Sequence, residues 1–591
     1  MRAFVVTVLL SLLAAPAFSG AADITPAETI IVTATRTEIP LSDSTIPVSI
    51  ITREDIELSM ATDLSELLRF EADIDIGRNG GPGQATSLFL RGTESNHTLV
   101  LIDGVRMNPS TLGGAAIQNI APEVIERIEI VKGARSALFG TDAIGGVINV
   151  ITRRADSGYF EGGVGSGSFA SQSGHVSGGN RTAGGEFGLN LNWQTTDGYA
   201  PRTDSDVERG YDNLSANVYA AKRYGVNQLS VRHWQSKGNV EYLDFFLNPV
   251  DQDFENAVTA IGLDSKIANS GNSKLVLSFM EDRVEQQQTP DFVNSERLSL
   301  DWQYSHAFGR QTLTGGLYAV EEDASTLSFG SGFDEDTSIR AAFLQNQLLL
   351  GRHKAFLAIR LTDHEDFGKH TTWNAEYAVE ISEALTMNLG FGHAFRAPDA
   401  TDRFGFGGNA DLKPELADEW QLGLHYAPGT RHRIQLEMYA NDIEDLIEFD
   451  LQSFTLRNLD KAEIRGVQLG YEFQGDSFTV RADIVGQRAD NAVTSQRLLR
   501  RAEETASVSY TQTIGAHRLG LSVLASGDRE DFAGARLPGY VVANLTGQLQ
   551  LSADWQLSAR IENLGDTEYQ TAANYRMQER SGFIELRYRW Q

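Results

Sequence analysis

Leu298-Ser299-Leu300-Asp301-Trp302-Gln303-Tyr304 alternates apolar and polar side chains without a break. Successive side chains of a strand point to opposite faces, so this run reads as a strand with one apolar and one polar side. The same beat recurs along the chain. Ile434, Leu436, Met438 and Ala440 alternate with Gln435, Glu437 and Tyr439, and Ile584, Leu586, Tyr588 and Trp590 alternate with Glu585, Arg587 and Arg589. Ala355, Leu357, Ile359 and Leu361 follow it less cleanly. A soluble sandwich would alternate too. The aromatic-rich apolar set and the strongly polar opposite set suit a membrane barrel with interface girdles and a wet lumen. Connections such as 203–212 and 404–412 are long, polar and acidic. Residues 156–591 leave 436 residues for the barrel. Twenty-two strands would take about 20 residues each with their connections, a known size class for plugged barrels. Division alone also allows 20 or 24.

The start of the chain predicts the compartment. Arg2 is followed by the apolar run 4–15 and then by Ser19-Gly20-Ala21-Ala22. This is the layout of a secretory signal peptide, 1–22, with cleavage expected after Ala22. The run is shorter than the ~20 residues of a spanning helix, and no later stretch approaches that length. A membrane protein built from this chain must therefore cross with strands.

Composition removes several functions. With 79 Asp+Glu against 50 Lys+Arg the net charge is −29, which argues against a nucleic-acid partner. Cysteine is absent, which excludes disulfides, thiolate metal sites, iron–sulfur clusters and cysteine nucleophiles. Gly140, Gly145 and Gly146 are not followed by the Lys-Ser/Thr ending of a phosphate loop, and no nucleophile elbow is present. His364 and His370 flank Asp366 but read as solvated loop residues. The chain is not expected to be an enzyme or to carry a catalytic cofactor.

Residues 40–155 have a different texture. Thr52 and Asp63 are placed to cap short helices over 53–58 and 64–70, with Leu64, Leu67 and Leu68 on the apolar face of the second. Strands are expected at 99–102, 125–131 and 147–151, and Asp103-Gly104 is a strong hairpin-turn signal. This is a mixed α/β unit of a size to fill a wide lumen. The fold expected is an all-β membrane barrel of about 22 antiparallel strands with an N-terminal α/β plug in its lumen.

Several segments in order resemble TonB-dependent outer-membrane receptors. Glu28-Thr29-Ile30-Ile31-Val32-Thr33-Ala34-Thr35-Arg36 resembles a TonB box, within a segment 23–39. Leu90-Arg91-Gly92, Val100-Leu101-Ile102-Asp103-Gly104-Val105-Arg106 and the run 128–149 resemble plug motifs. Ala394-Phe395-Arg396-Ala397-Pro398, the run 409–415, Arg465-Gly466-Val467 and the run 561–566 resemble barrel motifs. Within the family, 79–84, 90–108, 441–447 and 497–501 are most similar to the cobalamin (vitamin B12) receptors. The resemblance implies a monomeric receptor in the bacterial outer membrane, surrounded by its lipid and energised by TonB and the inner-membrane complex. A released box would add a strand to the partner's sheet. Two departures stand out. Gln591 follows the terminal aromatic Trp590, and Ala200 stands where cobalamin receptors carry a calcium-binding aspartate.

The expected sites follow. The box comprises Glu28, Thr29, Ile30, Ile31, Val32, Thr33 and Ala34. Plug loops 79–84 and 108–118 are glycine- and polar-rich, and Asn79, Gln84, Asn108, Ser110, Thr111 and Gln118 suit a ligand rimmed by amides, such as cobalamin. Asp204, Asp206, Asp212, Asp244, Asp251 and Asp253 are candidates for structural Ca²⁺ in extracellular loops, since calcium takes six to eight oxygens. A solvated acidic loop is the competing reading. A siderophore or haem receptor is the alternative within the class, and a passive porin or surface adhesin the alternative outside it.

Overall fold

The computed structural model describes residues 31–32, 36–37, 39–46, 48–155, 158–268, 270–328, 330–451 and 453–590. The expected signal peptide 1–22 and, of the box, Glu28, Thr29, Ile30, Thr33 and Ala34 lie outside them. Twenty-two antiparallel strands close into one barrel, and the first, Tyr159–Gly167, pairs with the last, Ser581–Trp590, from Phe160↔Trp590 to Gly167↔Phe583. Closure leaves no sheet edge, as a bilayer demands of a spanning sheet. Among the described residues no helix is long and apolar enough to cross a membrane.

The wall is inverted relative to a soluble protein. Leu298, Leu300 and Trp302 are exposed on the outer surface, while Ser299 and Gln303 are buried on the inner one. Asn190, Asn192, Asn213, Ser215 and Asn217 continue the inner polar lining. Connections at the end where the plug enters are tight turns, as between Asn227–Leu243 and the preceding Arg209–Tyr224. At the other end they lengthen, reaching the segment between Leu385–Arg396 and Glu415–Tyr426.

The plug is a five-stranded mixed sheet in the order Val48–Ile51, Ile125–Lys132, Gly146–Thr152, Thr98–Ile102, Val105–Arg106. Only the pairing of Thr98–Ile102 with Gly146–Thr152 is parallel. Asp103 and Gly104 both take positive φ, 50° and 86°, between Ile102 and Val105, the two-residue turn expected from sequence. Helix Arg53–Ser59 starts at Thr52, whose hydroxyl and Asp55 form a reciprocal cap; Asp63 caps helix Leu64–Leu68 through the Glu66 amide. Leu64, Leu68, Val100, Ile102, Ile128, Ile130, Ile148 and Val150 form one apolar core beneath both helices. The helices are thus anchored by caps and by that core, since five to seven residues are too few to hold a helix alone.

Buried ion pairs tie the plug to the wall, beside apolar contacts such as those of the plug core with Trp234 and Met280. Arg135 reaches Glu376 at 2.6 Å, Arg560 reaches Glu66 at 3.0 Å, and Arg91 lies between Glu437 and Glu419. Burial alone would raise the Glu66 carboxyl, but Arg560 and Arg78 outweigh it and hold it at about 2. Buried ion pairs return little net free energy because both partners were well solvated apart.

Candidate functional site at the outer mouth of the lumen

Two plug loops reach the end with the long connections. The first, 79–84, is packed against the wall. Tyr199 Oη donates to Gly80 O at 3.3 Å, Gln84 Nε2 donates to Glu241 O at 3.1 Å, and Arg500 Nη1 reaches Asn79 Oδ1 at 3.5 Å. Gly83 has φ +73°, and a Cβ there would fall 2.1 Å from the Tyr211 ring. Glycine is required both for the backbone and for that approach. Tyr211 is stacked on Phe254, with centroids 5.8 Å apart, and its hydroxyl also donates to Gln118 O at 3.4 Å. One buried tyrosine therefore touches both apex loops, at Gly83 and at Gln118, while Gln84 is itself buried against the wall, a correction to its expected ligand contact.

The second loop is organised by Asn108. Its Oδ1 accepts from Val100 N–H at 2.8 Å, and its Nδ2 donates to Thr98 O at 3.0 Å and Gly113 O at 2.7 Å. Asn108 is fully buried. It shapes the loop instead of lining its surface, a correction to the expected ligand contact. Thr111 is also fully buried, with Oγ1 unpaired among the described residues, as is Gln118 Oε1. Ser110 bonds Ser295 through both its amide and its hydroxyl. The loop backbone is roofed: Ala400 and Thr401 donate to Ser110 O at 3.0 Å and Thr111 O at 3.1 Å. These donors belong to the short helix Ala400–Phe404 of an outer connection, capped by Asp399 with Asp402. Leu112, 55% exposed, is the large side chain that this loop presents at the mouth.

Between this loop and its roof lies a polar cavity of about 50 Å³ that includes Arg106, Arg297, Arg396 and Arg403. Each arginine is matched. Arg106 pairs with Asp142, Arg297 with Glu322 at 2.6 Å, and Arg403 with Asp366 at 2.7 Å. Arg396 holds Asp399, Asp402 and Glu415, each at 2.8 Å. Burial and then the neighbouring Asp402 raise the Asp399 carboxyl well above the usual carboxylate range, against the pull of Arg396. A second, larger cavity of about 110 Å³ runs between plug and wall, lined by Met60, Thr62, Pro82, Phe169, Asn192 and Tyr199 among others.

The six aspartates do not converge. Arg202 grips Asp204 at 2.9 and 3.0 Å, and Asp206 lies 3.8 Å from Arg576. Asp244 accepts the amides of Phe246 and Asn248 in its own turn. Asp251 takes Gln288 Nε2, and Asp253 takes Asn239 and Gln287. Asp212 faces outward on the neighbouring strand, with Asn239 as its register partner. Among the described residues no three potential ligands form a metal cage. The carboxylates are distributed over separate hairpins and are satisfied locally, which corrects the expected calcium cluster.

At the opposite end, Ile31–Val32 pairs antiparallel with Ile39–Pro40. Arg36 fastens the turn between them to plug and wall together. It pairs with Asp301, donates to Leu138 O at 2.7 Å, and stacks over Phe343 at 4.6 Å. Gln303 Nε2 in turn donates to Arg36 O at 3.1 Å.

A plug of this topology inside a closed 22-stranded barrel is matched by two family models, the "TonB-dependent Receptor Plug Domain" over residues 40–147 and "TonB dependent receptor-like, beta-barrel" over 158–564. The chain belongs to the TonB-dependent receptors. It is 28% identical over 620 residues to the vitamin B12 transporter BtuB of Vibrio vulnificus (strain YJ016), covering 98% of each chain. Its fold is similar to that of the ferric enterobactin receptor PfeA of Pseudomonas aeruginosa, with a TM-score of 0.80 at 18% identity over 92% of this chain and 98% of that one. The copper transporter OprC gives a TM-score of 0.80 at 16% identity, over 92% and 99%. The receptor is thus an outer-membrane protein of TonB-dependent transport, and its family comprises transporters, not enzymes. Sequence reasoning missed Tyr199, Tyr211, Leu112 and the Ala400–Phe404 roof. The aromatics beside and within the acidic segment 203–212 were the available signal for the tyrosines.

Proposed function

We propose that the receptor takes up cobalamin or a closely related corrinoid. The observation carrying this reading is the charge balance at the outer mouth: all four arginines of the cavity under the Ala400–Phe404 roof are already matched by carboxylates. An anionic ferric siderophore gains most from uncommitted cations, whereas an amide-rimmed ligand needs many neutral donors and acceptors. Asn79 and Gln118, half-buried on the two apex loops, supply groups of that kind, and the similarity to a vitamin B12 transporter over nearly the whole chain supports the same substrate. Ligand at the mouth would favour release of the box at the inner end. The coupling equals the ligand's preference for one plug state over the other.

Equilibrium binding of cyanocobalamin to the detergent-solubilised receptor tests the reading, with a ferric catecholate as competitor. Saturable binding that the catecholate does not displace is expected, and displacement would reverse the assignment. In cells, Val32→Pro should abolish uptake and leave surface binding intact, because proline removes a strand N–H.

A further inference from the structure

The apolar clusters that join plug to wall draw on only part of the barrel. Trp234, Val258 and Met280 pack on the plug core, Phe356 and Ala358 on Ala137 and Leu138, Ala394 and Tyr439 with Ala134 and Ile144, and Leu524 and Tyr540 on Phe70. Among the described residues none of these clusters includes a residue of the first three strands, Tyr159–Gly167, Gln172–Thr182 and Gly185–Tyr199, or of the last, Ser581–Trp590. The inner face of that sector is thinly furnished. Gly163, Gly165 and Gly167 face the lumen, where a Cβ on each would meet His175, Ser173 and Phe583 in turn. Ser173, the register partner of Gly165, lies on the inner face and is nevertheless exposed. The cavity of about 110 Å³ between plug and wall lies here, and reaches from Phe169 and Tyr199 at the mouth to Arg53 and Glu57 on the plug.

Below the cavity the sector is held by charge. Glu57 of helix Arg53–Ser59 lies 3.3 Å from Arg587 and 2.8 Å from Arg589 of the last strand. Arg589 also reaches Glu161 of the first strand at 2.7 Å, and Arg153, near the end of the plug, reaches the same Glu161 at 2.9 Å. His175 Nδ1 extends the network, 3.2 Å from Glu585. Parting an apolar cluster exposes its surface to water, at about 25 cal/mol per Å². Parting ion pairs as water enters returns hydration to both partners, which offsets much of the lost attraction. Glu57 and Arg587 line the cavity itself, so water reaches them without any apolar cluster being opened.

We propose that the plug parts from the wall along this sector, opening a passage between the first hairpin and helix Arg53–Ser59 through which the substrate crosses the lumen. The inference rests on the receptor being an energised transporter of an uncharged ligand. The passage is lined by neutral groups, the backbone of Gly165 with Ser173, Asn192 and Gln194, that suit an amide-rimmed solute. The apolar clusters on the other strands hold the rest of the plug in register meanwhile, so the plug recedes from one side of the barrel and does not leave it.

The chain has no cysteine, so a single introduced thiol reports on one position. Ser177 on Gln172–Thr182 and Ser299 on Phe292–Phe308 are both buried on the inner wall, the first within the sector and the second outside it. In the purified full-length receptor, urea below the barrel transition should make maleimide labelling of Ser177→Cys at least tenfold faster than that of Ser299→Cys. Adding Glu57→Gln should speed labelling at 177 severalfold further and leave 299 unchanged. In cells, an impermeant maleimide should label Ser177→Cys quickly while cyanocobalamin is taken up and slowly when Val32→Pro uncouples the receptor, with Ser299→Cys slow throughout. Heat-modifiable migration as in wild type shows intact barrels. Equal rates at the two positions in urea, or faster labelling of Ser299→Cys, overturn the proposal. The urea comparison uses no substrate, so it decides the sector by itself, and a lack of cyanocobalamin uptake would count against that substrate alone.

Discussion

Asn108→Ala separates a loop-shaping role from a ligand contact. The wild-type amide makes three buried hydrogen bonds, to Val100 N–H, Thr98 O and Gly113 O. Each is worth roughly 1 kcal/mol net, and a buried group left without a partner costs about 1–3 kcal/mol more. The Val100 amide is stranded by the substitution, so the second apex loop should lose about 4 kcal/mol of local stability. That corresponds to roughly a thousandfold rise in its open population. Hydrogen exchange followed by mass spectrometry should show strongly faster exchange across 98–118, with barrel peptides unchanged. Asn108→Asp keeps the acceptor for Val100 but sets a buried carboxylate against the carbonyls of Thr98 and Gly113, so it should loosen the loop at least as much as alanine. Cyanocobalamin affinity should fall in the same order as protection. If Asn108→Ala abolished ligand binding while 98–118 exchanged as in wild type, the side chain would be touching ligand and the argument would fail.

Three further perturbations bear on the two ends of the plug. Arg36→Ala removes an ion pair, a hydrogen bond and a cation–π contact, together roughly 2–3 kcal/mol, so the mobile fraction of a spin label at position 32 should rise severalfold; an unchanged spectrum in both Arg36→Ala and Asp301→Ala would discount the fastening. Gly83→Ala combines about 1–2 kcal/mol of left-handed strain with an overlap on Tyr211 and should weaken ligand binding at least tenfold, whereas Gly104→Ala, with φ +86° and nothing within 4 Å, should cost only the strain; equal affinities for the two variants would show that the Tyr211 contact is irrelevant. Burial would raise Glu57, but Arg53, Arg587 and Arg589 hold it at about 2, so its contribution to plug docking is full above about 4.5 and lost as pH falls through about 2. Protease sensitivity of the plug should therefore rise across that window in wild type, and Glu57→Gln should flatten the response.

Local physics is what a linear chain displays. The alternation at 298–304 shows which face meets lipid, the Thr52 and Asp63 caps show where the plug helices begin, and Asp103-Gly104 shows where its hairpin turns. Each depends on neighbours within a few residues, so each is written in a short window. The ordered run of family motifs extended that reading to a plugged receptor. Division of 436 residues left 20 and 24 open beside the 22 expected; the closed order of paired strands decides for 22.

The functional residues depended on distances the chain does not display. Asn108 looked like a polar loop residue open to ligand, and only burial beneath Thr98, Val100 and Gly113 turns it into an internal brace. The six aspartates looked like a cation cluster because they fall within 50 residues, but Asp204 is held by Arg202, Asp244 by its own turn, and Asp251 and Asp253 by glutamine and asparagine amides. Ala400 roofs Ser110, and Tyr211 ties Gly83 to Gln118, across separations no periodicity encodes. Sequence alone determined the strands, their two faces and the family, because alternation, capping and turn chemistry are local. The mouth, the matched arginines and the ionic sector beside the first hairpin were decided by tertiary structure, because they arise where residues far apart in the chain are brought together by barrel closure.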